Sequence, residues 1–313
     1  MALQPAPRAG VSASRVRSGA RHAHVLAFLQ TRLPHVGDWP ERLAAGQVLN
    51  ATGHAAAPED ACPAGTLLWY WRQPGPETPV PFEVVVLHHD ERLLVVDKPP
   101  FLAVAPVGRH VQQTVMVRLQ QQLGVAHLAP LHRLDRDTAG VLAFSVQPQT
   151  REAYYALWRE RRVSKVYEAI AAWSDDIHTP VTARHRLIEP KGANFHQMQV
   201  EPGEPNSETL IERVREVDPC TVPGAPPGRR LALYRLRPHT GRKHQLRAQM
   251  AALGVPLVND RVYPVLQPEG PDDFTRPLML LATRLSFVDP LDGKARCFDS
   301  GLCLGYPTSG VSV

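Results

Sequence analysis

PLHRLDRDTAGVLAF (Pro130–Phe144) sets a turn crowded with charge, Arg133, Asp135, Arg136 and Asp137, directly before an apolar run that continues to Val146. The run VLAFSV (141–146) has the length and composition of a buried strand, so the turn feeding it lies at the rim of a core. Charges in that position either pair with one another on a solvated loop or hold one carboxylate for chemistry. A neighbouring guanidinium favours the ionised, nucleophilic form of a carboxylate. From the residues alone both readings stand.

Outward from this stretch, short apolar strands alternate irregularly with turns and a few helices. VVVLHHD (84–90) and RLLVVDKPP (92–100) read as strands, and QTVMVRLQQQLG (113–124) as a helix. PQTREAYYALWRERR (148–162) reads as a second helix, with Pro148 and Thr150 as start signals and Tyr154, Leu157, Trp158 and Arg161 along one side. KVYEAIAAW (165–173) and RLALYRLRP (230–238) are further strands. Without a regular strand–helix alternation a doubly wound parallel sheet is disfavoured. The pattern predicts an α+β domain built on a mixed, largely antiparallel sheet with flanking helices.

Towards the N-terminus, HVLAFLQTRL (24–33) carries helical spacing, and GDWPERLAAGQVLNATG (37–53) reads as a short helix leading into a strand. Together they predict a small helix-rich module over residues 23–72. The proline-rich RQPGPETPVPFE (72–83) has no period, so 73–83 is read as a linker before a large domain over 84–313. Residues 1–37 contain no acid but five arginines among Ala, Ser, Pro and Gly. That composition suits either an organellar transit segment or a disordered basic tail, and the tail is the reading adopted for residues 1–22.

Composition excludes several classes. The chain of 313 residues is 43% apolar and 21% charged, and no stretch approaches the roughly 18 consecutive apolar residues of a membrane span. Cys62, Cys220, Cys297 and Cys303 form no CxxC pair, which fits free thiols in a reducing cytoplasm. The 14 histidines form no HExxH or similar spacing, so no metal site is expected. The net charge of +5 makes a polyanion a plausible partner without singling one out.

HRLDRDTAG (132–140) resembles the HRLDxxTSG signature of the RluA-type pseudouridine synthases. The resemblance implies that Asp135 is the nucleophile and that Arg133 helps hold the position vacated by a flipped nucleotide. SKVYEAI (164–170) is similar to the family's KxYxA segment, which implies that Tyr167 packs against the target base. TGRKHQLRAQM (240–250) resembles TGRTHQIRVHL, followed by GVPLVNDRVY (254–263) in place of GHPIxGDxxY. Arg247 is then the expected ion-pair partner of Asp135, and Arg242, His244 and Gln245 are expected to shape the pocket. Ala139, Lys243, Val255, Asn259 and Leu281 depart from the family pattern. RLLVVDKPPFLAV (92–104) resembles VVDKPxGLxV, where Asp97 and Lys98 fix a turn. Residues 24–53 resemble a degenerate form of the small RNA-binding module that often precedes this catalytic domain, with Asp38, Trp39 and Glu41 where Ser and Arg are usual.

Beside these motifs lie two basic runs. Between Asp218 and Asp260 there is no acid, while Arg229, Arg230, Arg242, Lys243 and Arg247 fall inside; Arg161, Arg162 and Lys165 precede Tyr167. Apart from Arg247 these residues, with Arg133 and Arg136, are expected to contact RNA, a track converging on one cleft. The resemblance covers about residues 80–300. It implies a cofactor-free, cytoplasmic, monomeric enzyme isomerising specific uridines in ribosomal or transfer RNA after flipping the target nucleotide, with Asp135 acting as nucleophile or as a base on the sugar. A hydrolase pairing Asp135 with Asp137 is disfavoured, since carboxylates at i and i+2 of a turn point apart. A catalytically inactive RNA-binding protein that kept the fold is the alternative.

Overall fold

The computed structural model describes residues 5–8, 11–34, 36–72, 77–108, 110–125, 127–190 and 197–305. Positions 1–4, 9 and 10 of the expected tail and 73–76 of the expected linker lie outside the described residues. The chain divides into two compact units, Met1–Thr78 with Ala105–Ala126, and Pro79–Val104 with His127–Val313.

The first unit contains β1 (Ser14–Arg17), α1 (Val25–Arg32), α2 (Trp39–Ala44), β2 (Val48–Asn50) and β3 (Leu67–Tyr70), the strands forming an antiparallel sheet in the order β1-β3-β2. Val16, Leu68 and Tyr70 bury against Phe28, Leu29 and Leu43 of the helices. The expectation of a disordered tail over 1–22 is therefore corrected. Ser14 to Arg17 pair with Tyr70 to Leu67, with Val16 buried and Arg15 and Arg17 exposed. So short an alternation among Ala, Ser and Arg gives no periodic signal. The segment 105–126, read as part of the large domain, groups with this unit instead. Val111 and Val117 cluster with Val11, and the Glu77 carboxylate accepts the amides of Val111, Gln112 and Gln113 at 3.1, 2.8 and 2.9 Å.

The second unit is an α+β domain. After β4 (Val85–His89) and β5 (Leu93–Lys98), α3 (Val115–Leu123) intervenes in the first unit. The second unit resumes with β6 (Ala129–Pro130), β7 (Ala139–Ser145), α4 (Arg151–Arg159), β8 (Val163–Ala172), β9 (Val181–Ile188), β10 (Gln199–Glu201), β11 (Ser207–Val217), β12 (Leu231–Pro238), α5 (Gln245–Ala252), β13 (Leu280–Val288) and β14 (Ala295–Asp299). Its 11 described strands run β10-β9-β11-β12-β8-β13-β7-β5-β4, with β14 on β13 and β6 on β7. Among the described residues the one parallel pairing is β13 with β7. Helix α4 is shorter than the 148–162 read from sequence: Thr150 is its N-cap, and at the other end the chain leaves the helix at Glu160, with Arg161 in the left-handed conformation at φ +57°.

Residue alternation on β8 decides where the helices lie. Val163, Lys165, Tyr167 and Ala169 share one face. At one end of that face Tyr154, Leu157 and Trp158 of α4 pack with Val163, Leu285 and Phe287, and at the other Leu246 and Met250 of α5 pack with Ala169 and Tyr167. Lys165 and Tyr167 thus occupy the strip of sheet between two helices.

The parallel pairing delivers the Asp135 turn to that strip. Gly140 lies opposite Ala282 of β13, and Ala282 lies opposite Tyr167 of β8. Gly140 has φ +114°, and a Cβ there would come 2.2 Å from the Ala282 carbonyl oxygen and 2.7 Å from its nitrogen. Both the backbone conformation and the approach of β13 therefore demand glycine. Gly140→Ala is expected to destabilise the fold by at least about 3 kcal/mol, measured by denaturant unfolding; a loss below about 1 kcal/mol would show that the pairing relaxes at little cost.

Candidate active site

The segment 131–138 is a loop held from three sides. Leu131 donates its amide to Ala143, and the Thr138 amide donates to the Asp135 carbonyl at 3.1 Å, closing the turn. His132 stacks on Trp158, centroids 5.4 Å apart at 15°, and its Nε2 accepts the Ala143 amide at 3.2 Å. Lys98, fully buried, donates from Nζ to the carbonyls of Pro99, Leu102 and Arg136 at 2.8, 2.8 and 2.9 Å, so the end of β5 grips the turn. Burial pulls the Lys98 pKa down to about 7, opposed by the charges of Asp137 and Asp135. Asp97 accepts Ser300 Oγ at 2.6 Å and the Gly301 amide at 2.7 Å.

His132 makes the turn's anchoring sensitive to acid. Burial, and secondarily the Lys165 charge, lower its pKa to about 3. Between pH 6.5 and 3 the unfolded chain therefore takes up a proton that the folded chain refuses, and stability present above pH 6.5 is lost as the pH falls. The stability of wild type over His132→Gln is expected to shrink below pH 6.5 by up to about 1.4 kcal/mol per pH unit. A difference independent of pH would exclude this anchor.

Arg247 and Asp135 do approach, but the tighter arrangement is with a residue that the sequence reading gave no role. Arg247 Nε and Nη2 donate to Asp260 Oδ2 and Oδ1 at 2.8 and 2.7 Å, while Nη1 reaches Asp135 Oδ2 at 3.4 Å. The Arg247 side chain is 3% exposed, that of Asp260 0% and that of Asp135 28%. Asp260 Oδ1 also accepts the Val262 and Tyr263 amides at 2.8 and 3.0 Å. Burial alone would lower the Arg247 pKa; the bonds to Asp260 and the charges of Asp260 and Asp135 raise it. Asp260 belongs to the segment GVPLVNDRVY (254–263). Its neighbour Asn259, at φ +62°, adopts the left-handed conformation that suits glycine there, and its Nδ2 donates to the carbonyls of Pro223 and Pro277 at 2.8 and 2.9 Å.

Around Asp135 stand His244 and Tyr167. His244, at φ +50°, precedes α5; its Nε2 is 3.9 Å from Asp135 Oδ1 and its Nδ1 3.4 Å from the Tyr263 hydroxyl. Burial lowers the His244 pKa, against the pull of Asp135. Burial first, and then the Asp135 charge, raise that of Tyr167, which is a neutral phenol at neutral pH. Asp135 Oδ1 has no hydrogen bond among the described residues; it is the open oxygen of the carboxylate.

The remaining expected site residues divide. Arg133 is exposed beside Asp135, with no ion pair among the described residues. Arg161, Lys165 and Arg242 line one cleft of about 290 Å³ with Trp158 and His239, and Arg162 lines an adjoining one. Lys243 pairs with Glu189. Three expectations need correction. Arg136 is already engaged by Asp137 at 2.9 Å and by Asp272, a partner in an irregular loop that carries no sequence signal. Gln245 is buried and saturated, its Nε2 donating to the Glu208 carbonyl and Thr209 Oγ1 and its Oε1 accepting Thr240 Oγ1 and the Arg242 amide. Arg229 and Arg230 precede the far end of β12: Leu231 is opposite Ala172, whereas Leu236 is opposite Tyr167. At about 3.3 Å per residue they lie roughly 20 Å from Tyr167. Arg230 is held there by Glu216 and by the Trp173 ring.

Among the described residues no group of His, Cys, Asp and Glu is placed to hold a metal ion, and no helix is long and apolar enough to cross a membrane.

The chain is similar to several known proteins. The profile of the RNA pseudouridylate synthase family matches residues 92–252, a span holding Asp135, Tyr167 and Arg247. The chain is 34% identical to tRNA pseudouridine synthase C of Pasteurella multocida, over 66% of this chain and 86% of that protein. It is 32% identical to an uncharacterised RNA pseudouridine synthase of Synechocystis, over 72% and 73%. In three dimensions it resembles human RNA pseudouridylate synthase domain containing 1, with a TM-score of 0.56 and 22% identity, over 73% of this chain and 93% of that one.

Proposed function

The chain belongs to the RNA pseudouridylate synthase family and is an isomerase acting on RNA, and from that premise we propose that its substrate is transfer RNA and that Asp135 starts the rearrangement. The relative from Pasteurella, named for tRNA, supports the choice over ribosomal RNA. The observation that carries the role of Asp135 is its asymmetry: Oδ2 faces Arg247, while Oδ1, 3.9 Å from His244 Nε2, accepts no hydrogen bond among the described residues.

The reaction needs little else. The bond from ribose C1′ to uracil N1 breaks, the base turns, C5 bonds to C1′ and gives up its proton, and N1 ends with one. Nothing is oxidised or reduced, so the reading calls for no cofactor. Asp135 acts as nucleophile or as a base on the sugar, and the neutral Tyr167 packs on the base. A paired uridine hides these atoms, so the nucleotide is flipped out at a cost of a few kcal/mol, with the exposed Arg133 taking its place. In this reading the enzyme works as a monomer in the cytoplasm, with catalysis in the unit of Pro79–Val104 and His127–Val313 and the unit of Met1–Thr78 and Ala105–Ala126 as an accessory.

Pseudouridine mapping of total RNA from cells with and without the gene tests the proposal. Loss of pseudouridine from one or more tRNA positions is expected. Loss confined to ribosomal RNA would overturn the substrate, and tRNA binding without any loss would make the chain an RNA-binding protein that kept the fold.

A further inference from the structure

Lys165 is a cation that the folded chain shields without supplying a counter-charge. Its Nζ donates to the Thr240 carbonyl at 3.3 Å, and no carboxylate lies within ion-pair distance among the described residues. Burial lowers its pKa with no acid opposing. Taking an ammonium group out of water is costly unless an anion receives it, so the position calls for a ligand. Neighbouring cations sort in the same way. Arg162, Arg237 and Lys243 are taken by Glu160, Glu212 and Glu189, whereas Arg161 and Arg242, which line the cleft with Lys165, have no carboxylate partner among the described residues. The cleft opens between the end of α4 and the loop before α5. Gly241 lies on that side, where a Cβ would come 3.7 Å from Lys165 Nζ, an ordinary contact.

Position restricts the anion. Lys165 and Tyr167 share a face of β8 two residues apart, about 7 Å, so a strand whose uracil packs on Tyr167 carries its nearest phosphates past Lys165. We infer that this cleft is a subsite for one phosphodiester, the one adjoining the target nucleotide, with Lys165 as its central cation and Arg161 and Arg242 at its rim. The inference rests on the RNA reading above and narrows a diffuse basic track to one built position.

Unmodified tRNA transcripts are the probe, with full-length wild type, Lys165→Met, Lys165→Arg and, as a distant control, Arg229→Ala. Lys165→Met is expected to weaken tRNA binding about tenfold at 0.15 M salt and to reduce the salt slope by about one unit. Lys165→Arg is expected to restore the slope, and Arg229→Ala to match wild type. In wild type, saturating tRNA is expected to protect Lys165 from an amine-acetylating reagent, read by mass spectrometry. If Lys165→Met lowers thermal stability and leaves the slope unchanged, or if tRNA leaves Lys165 acetylation unchanged, Lys165 merely holds the Thr240 loop and the subsite is overturned. A wild type that modifies tRNA while failing these arms overturns the subsite alone; one that neither binds nor modifies tRNA removes both it and the proposed function.

Discussion

Asp135→Asn is expected to abolish pseudouridine formation, with a loss of roughly 10⁴-fold or more, while tRNA affinity changes by no more than about twofold. The substitution nearly preserves shape, and the site is built so that the fold does not depend on its charge. Arg247 keeps two bonds to Asp260, and the turn keeps its ties to Lys98 and His132, none of which uses the Asp135 carboxylate. Single-turnover assays on unmodified tRNA together with thermal unfolding separate the two effects. A rate comparable to wild type would remove Asp135 from the chemistry.

Arg247→Ala is expected to act on both stability and rate. Asp260 would be left fully buried with only the Val262 and Tyr263 amides as donors, and breaking a buried pair typically costs about 3–5 kcal/mol of folding stability. Asp135 Oδ2 would lose its cation as well, so the single-turnover rate at saturating tRNA is expected to fall by about 10²–10³-fold, about 1.4 kcal/mol per factor of ten. The salt dependence of binding is expected to stay unchanged, because the 3% exposed guanidinium meets no phosphate. Arg247→Ala with a normal rate at saturation and a reduced salt slope would instead make Arg247 a phosphate contact.

What could be read from the sequence follows the range over which each interaction acts. Asp135, Tyr167 and Arg247 each sit in a contiguous segment whose chemistry is local, and the structure brings all three together. The helix over 24–33 and the short helix after Asp38 emerged as α1 and α2 for the same reason. The arginines were less legible, because whether one is free depends on strand register. Arg237 meets Glu212, and Arg230 meets Glu216, through pairing of β12 with β11 that no local pattern encodes. Gln245, inside the third motif, looks like a pocket residue until its four hydrogen bonds are traced into the core. Asp260 lay in a segment already singled out but pairs with an arginine thirteen positions earlier, which only the closed geometry discloses.

The placing of β13 bears on how the protein is made. β7 ends at Ser145, yet one of its edges waits for a strand that begins at Leu280, and β8 waits for the same strand. At roughly 5–20 residues per second a ribosome leaves that edge uncovered for several seconds. The wait is a window in which apolar Val141 to Phe144 are open to foreign strands or to a chaperone. Asp135 and Tyr167 meanwhile belong to separate partial sheets. A nascent chain halted before Leu280 could hold every residue of the three motifs and still possess no site, so activity waits on the synthesis of β13.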